Sequence, residues 1–102
     1  MALTNVYAND PAKAVATVAL STSYLGSGNY VQVDRAKKVD IFSDDSSIAI
    51  TYKFSYDGGT TFSPDMPLVA GSVYTAEPPP GRTLTIDAKS ASGTPNLGVV
   101  AY

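Results

Sequence analysis

The chain has 102 residues, no cysteine and no histidine, and its 7 basic and 9 acidic side chains leave a net charge of −2. That length serves one domain with one core. The missing residue types remove disulfide bracing, thiolate chemistry, the commonest metal ligand and the commonest general acid/base. The longest basic run, Arg35, Lys37 and Lys38, is flanked by Asp34 and Asp40, so positive charge gathers on no face that would suit nucleic acid.

Residues 1–12 read as an N-terminal arm ahead of a single domain at 13–102. The opening Met1-Ala2-Leu3-Thr4-Asn5-Val6-Tyr7 has neither the basic start nor the apolar stretch of a signal peptide. No apolar run nears the ~20 residues of a membrane span. Cytoplasmic synthesis and no membrane partner are therefore expected. Leu3, Val6 and Tyr7 are placed to meet a neighbouring molecule, the arm adding a strand to a foreign sheet edge.

Asp10-Pro11 followed by alanines fits a helix start, with Val15, Val18 and Ala19 on one face. The β-branched Val15, Thr17 and Val18, followed at once by Ser21-Thr22-Ser23, favour a strand from Ala14 to Leu20 instead. A loop then runs through Tyr24-Leu25-Gly26-Ser27-Gly28-Asn29, beside which Tyr24 and Tyr30 are candidates for contact with a partner. Val31 and Val33, then Val39 and Ile41, mark two short strands around Asp34-Arg35-Ala36-Lys37. Asp44-Asp45 in the next loop lacks the spaced Asp-x-Asp-x-Asp-Gly series of a calcium site, and no metal or cofactor is expected.

The clearest strand covers residues 48–56. Ile48, Ile50, Tyr52, Phe54 and Tyr56 alternate with Ala49, Thr51, Lys53 and Ser55, the period of a half-buried strand. It runs into Ser55-Tyr56-Asp57-Gly58-Gly59-Thr60-Thr61-Phe62. There Asp57 is expected to accept nearby backbone N–H groups, Gly58 and Gly59 to supply positive φ, and Phe62 to plug the core beside the turn. These eight residues resemble the Asp-box, Ser-x-Asp-x-Gly-x-Thr-aromatic, of sialidase propellers and other β-proteins, with Phe62 where tryptophan is more usual. In those families the motif is a fold element away from the catalytic site. Ser55, Asp57, Gly59, Thr61 and Phe62 are accordingly read as a structural turn.

Residues 64–71 read as a loop and residues 73–76 as a strand, with Tyr74 a third candidate contact. The prolines at 78–80 stiffen the next connection. A strand at 83–88 places Leu84 and Ile86 inward and Thr85 and Asp87 outward, and a last strand spans 97–102. The sum is an all-β chain of about 7–8 short strands, a small antiparallel β-sandwich of jelly-roll or immunoglobulin-like type. No carboxylate pair lies in a context that would raise its pKa, no base accompanies the hydroxyl-rich stretches, and no glycine loop precedes a helix. The chain reads as a binding protein with no catalytic residues.

The strand Lys38-Val39-Asp40-Ile41-Phe42, the turn at 55–62 and the Ser/Gly/Thr-broken Ile86-Asp87-Ala88-Lys89-Ser90-Ala91-Ser92-Gly93-Thr94 carry a wider likeness. Over residues 31–102 the chain resembles the small β-sandwich proteins that decorate or cement the capsids of tailed bacteriophages. The absence of Cys and His and the Ala/Ser/Thr/Val-rich texture fit the same group. The resemblance implies a homo-oligomer, most simply a trimer, made in the host cytoplasm and seated on the major capsid protein in the virion, with no enzymatic role. A tail, neck or fibre-associated domain and a carbohydrate-binding module are the other readings, the second disfavoured by the absence of tryptophan.

Overall fold

The computed structural model describes residues 4–7, 14–26, 28–34, 36–79 and 82–102. Among these there is no helix, and nine strands form two sheets. They are β1 (Thr4–Tyr7), β2 (Ala14–Ala19), β3 (Val31–Asp34), β4 (Val39–Ser43), β5 (Ile50–Ser55), β6 (Met66–Leu68), β7 (Val73–Ala76), β8 (Leu84–Ser90) and β9 (Asn96–Ala101). One sheet has the order β1-β3-β8-β5-β6 and the other β2-β9-β4-β7. All pairings are antiparallel except β1 with β3, which is parallel, Thr4 opposite Val31 and Tyr7 opposite Asp34.

The two sheets face each other across one apolar core, as expected of a β-sandwich. Val31, Val33, Ile50, Tyr52, Phe54, Leu84, Ile86 and Ala88 enter it from the five-stranded sheet. Val18, Val39, Ile41, Ala76, Leu97, Val99 and Ala101 enter from the other. Each set takes alternate positions along its strands, because successive side chains of a strand point to opposite faces. The segment at 14–20, read as a strand in preference to a helix, is strand β2 over Ala14–Ala19.

Three features differ from the sequence reading. Four residues of the expected arm, Thr4–Tyr7, form an edge strand of the protein's own sheet. The expected loop at 64–71 contains β6, which carries Pro67 and pairs only with β5, the edge position where proline is tolerated. In β8, Thr85 and Asp87 do lie on the face away from the core, yet they are 0 % and 2 % exposed, because β8 is the middle strand and the chain near residue 25 covers that face.

Candidate binding surface

The turn after β5 closes through short-range hydrogen bonds. Asp57 Oδ1 accepts from Ser55 Oγ at 2.6 Å and from the N–H groups of Thr61 at 2.9 Å and Thr60 at 3.1 Å. Ser55 Oγ accepts in turn from the N–H of Gly59 at 3.0 Å. These donors, led by the Ser55 hydroxyl and the Thr61 N–H, hold the Asp57 carboxyl down at about 2. Gly58 and Gly59 have φ of 77° and 96°. Phe62 departs from expectation. It does not plug the core but packs edge-on against Tyr30, ring centroids 5.2 Å apart, with Lys53 Nζ 4.6 Å from its ring centre.

Phe62 thereby joins a cluster that closes the outer face of the five-stranded sheet. Asp87, opposite Lys53 in the β5–β8 register, accepts from the N–H of Leu25 at 2.7 Å and that of Ala88 at 2.9 Å. Burial pushes its pKa up, against the pull of the Leu25, Gly26 and Ala88 N–H groups and of Lys53. Tyr24 donates its hydroxyl to Asp65 at 2.6 Å, and Lys53 and Lys89 hold their ammonium groups 4.4 and 4.7 Å from its ring centre. Burial first, then the hydrogen bond and charge of Asp65, raise the Tyr24 phenol above its ordinary value. The Tyr24 ring and hydroxyl are thus both engaged within the chain. It is a clamp on the 24–26 loop and offers no open platform for a sugar.

The outer face of the four-stranded sheet is different. The register brings Thr17 and Ala19 of β2, Gly98 and Val100 of β9, Phe42 of β4 and Val73 of β7 to one side of it, away from the core residues. Thr17, Ala19 and Val73 are exposed, and Phe42 and Val100 are half-buried. Phe42 faces Gly98 across the β4–β9 pair, and its ring lies over the glycine backbone in the space a Cβ would take. The Phe42 ring therefore lies down along the sheet, and Ala19, Phe42, Val73 and Val100 form an apolar patch beside the polar Thr17, Asp40, Thr75 and Asn96 of the same face. At one end Asp40 accepts from Thr75 Oγ1 at 2.6 Å and from the Tyr102 hydroxyl at 3.2 Å, so its charge is held by hydroxyl donors.

Beside this face runs the free edge of β7, which pairs only with β4. Val73 is 59 % and Tyr74 38 % exposed, and Val69, in the turn that leads into β7, is 72 % exposed. Tyr74 leans inward on Tyr52 and Phe54, with ring centroids 5.3 and 5.9 Å away. Of the other expected contact residues, Val6 and Tyr7 lie in β1 opposite Val33 and Asp34, and Leu3 lies outside the described residues.

Phe42, Val73, Gly98 and Val100 were not singled out from sequence. The signal for them is the doublets Ile41-Phe42 and Val99-Val100, which put apolar side chains on both faces of β4 and β9. The acids of the 44–47 loop act as staples. Asp44 accepts from Asn96 N and Nδ2 at 2.8 and 2.9 Å, and Asp45 from Ser47 N and Oγ at 2.9 and 2.6 Å. Among the described residues no group of three or more acidic, His or Cys side chains is placed to hold a metal. No protein-family model, no curated protein and no solved structure matches the chain.

Proposed function

We propose that this protein is a non-enzymatic structural component of a tailed-phage virion that binds the outside of the capsid shell and stabilises it, a decoration or cement protein. One observation carries the reading: the sandwich closes the outer face of its five-stranded sheet with its own loop, while among the described residues no loop covers the outer face of the four-stranded sheet, where Ala19, Phe42, Val73 and Val100 form an apolar patch rimmed by polar side chains. An exposed apolar patch with a polar rim is the mark of an interaction site. A net charge of −2 gives little long-range steering, so adhesion rests on apolar and backbone contacts with the major capsid protein. Several copies acting together provide tight holding from a small domain.

The test is to mix the purified protein with undecorated shells and sediment them at low and at half-molar salt. Co-sedimentation that persists in high salt supports the reading. Loss in high salt overturns the apolar mechanism, and failure to bind shells at any salt overturns the decoration role. Binding to isolated tails in place of shells would move the protein to another part of the virion.

A further inference from the structure

We infer that two copies of this chain pair through β7, antiparallel and centred on Tyr74, joining the outer faces of their four-stranded sheets into one eight-stranded surface. The inference deepens the proposed function, because it supplies the oligomer that would present the adhesive face.

Edge strands of monomeric proteins are normally protected by charge, proline, a bulge or extreme shortness. β6, the neighbouring edge in the other sheet, has two of these devices: three residues and Pro67. β7 has none. Its residues Val73, Tyr74, Thr75 and Ala76 include no charge and no proline, the first three are exposed, and all four pair in regular register with β4.

Self-pairing of this edge has one favourable register. Side chains opposite each other across antiparallel strands must lie on the same face. Val73 and Thr75 belong to the outer face, Tyr74 and Ala76 to the inner. Centring on Tyr74 sets Tyr74 against its own copy, Val73 against Thr75, Ala76 against Ser72, and Glu77 against Gly71. The two Glu77 carboxylates then sit at opposite ends. Centring on Thr75 would instead set the exposed Val73 against Glu77.

The symmetry adds a consequence. Two identical strands paired antiparallel within one sheet are related by a two-fold axis normal to that sheet. Both copies therefore turn the same face outward. The face formed by Thr17, Phe42, Val73, Gly98 and Val100 doubles in area on one side of the dimer. A stable interface needs about 800 Å² per partner, which two joined faces reach more readily than one. A second copy is the occupant this geometry favours, because in the Tyr74-centred register it sets no charge against the exposed Val73 and holds the two Glu77 carboxylates at opposite ends. Each copy has one β7 edge, so pairing through β7 closes at two, where the sequence reading expected a trimer.

The experiment needs no shell. Sedimentation equilibrium of the protein over a range of concentrations should give a dimer mass, and Val73→Lys, which charges an exposed edge residue, should give a monomer with an unchanged circular dichroism spectrum. Because the chain has no cysteine, Tyr74→Cys reports on the axis directly. It should form a disulfide-linked dimer under mild oxidation much faster than Val69→Cys, although Val69 is the more exposed residue. A parent that is monomeric at all concentrations, a trimer mass, or equal cross-linking rates would overturn the pairing. Such a result would leave shell binding by the single face standing, just as failure to bind shells would leave the solution dimer standing.

Discussion

Phe42 and Gly98 stand opposite each other on adjacent strands, and a Cβ built on Gly98 would run into Cε2 and Cζ of the Phe42 ring. The ring and the glycine shape the patch together. Gly98→Ala should lift the ring toward solvent, because the atoms it meets are the far end of a half-buried side chain, free to move. The expected stability change is about 1 kcal/mol. Shell binding should drop although the fold is kept. Thermal melting together with the sedimentation assay checks both halves, and a variant that binds shells like the parent removes this face from the mechanism.

Gly59 passes against another ring. Its φ is 96°, and a Cβ there would lie 2.6 Å from Cε2 of Tyr30. Gly58 has φ of 77° with nothing within 4 Å of its Cβ position. Gly58→Ala should therefore cost only the left-handed strain, about 1 kcal/mol, and Gly59→Val about 2–3 kcal/mol by adding overpacking to it. Urea denaturation of both variants measures the difference. Equal losses would mean that Tyr30 yields freely.

Asp57 ties the same turn to pH. Its folded pKa is lowered from 3.8 to about 2, so its contribution is present above the unfolded value and is lost as pH falls from about 4 through about 2. Asp57→Asn should flatten the acid limb of the stability curve over that window. A variant whose acid limb follows that of the parent would show that the turn does not sense this carboxyl.

Asp87 has the opposite sign. Burial raises its folded pKa, so its contribution is fully present below the unfolded value of 3.8 and declines as pH rises through the folded value. Asp87→Asn keeps an oxygen for the Leu25 and Ala88 N–H groups and discards the buried charge. It should match or exceed the parent in stability at neutral pH. Asp87→Ala leaves those donors unpaired and should cost about 1–3 kcal/mol. Chemical denaturation at pH 7 of the three proteins gives the ordering; alanine and asparagine variants of equal stability would mean that water replaces the carboxylate without loss.

Removing residues 1–10 strips β1 from β3 and exposes the edge at Val31–Asp34. The domain should remain folded, because Val31 and Val33 stay buried in the core, with a loss on the order of 1–2 kcal/mol of backbone pairing. Shell binding should survive, since the apolar patch belongs to the other sheet. A truncated protein that melts like the parent but leaves the shells would return the adhesive role to Leu3, Val6 and Tyr7.

The parts of this structure that the sequence made legible depend on short range. β7 follows from Val73, Tyr74 and Thr75 between turn residues, and the turn at 55–62 from hydrogen bonds that span at most four residues. Residues whose surroundings come from far along the chain were harder. Asp87 is buried by Leu25, 62 residues away, so its alternating pattern showed only which face it takes and not what lies above it. Phe62 turns to Tyr30 and Lys53, which arrive from two other segments. Phe42 and Gly98 meet only through the β4–β9 register, which no local pattern specifies. β1 was missed because a parallel edge pair draws its partner from beyond an intervening strand, β2, in the other sheet.

The placement of β9 bears on when the outer face of the four-stranded sheet can exist at all. β9 lies between β2 and β4, and no other described strand joins those two. Until β9 is inserted, β2 has no partner in its sheet, and Phe42 has no Gly98 to lie on. Most other links in the chain also cross from one sheet to the other, and only β5 and β6 are consecutive strands paired as neighbours. Long-range pairing of this kind folds in milliseconds to seconds, slower than helical bundles of similar size. The outer face of this sheet is complete only once residues 96–101 take their place between β2 and β4.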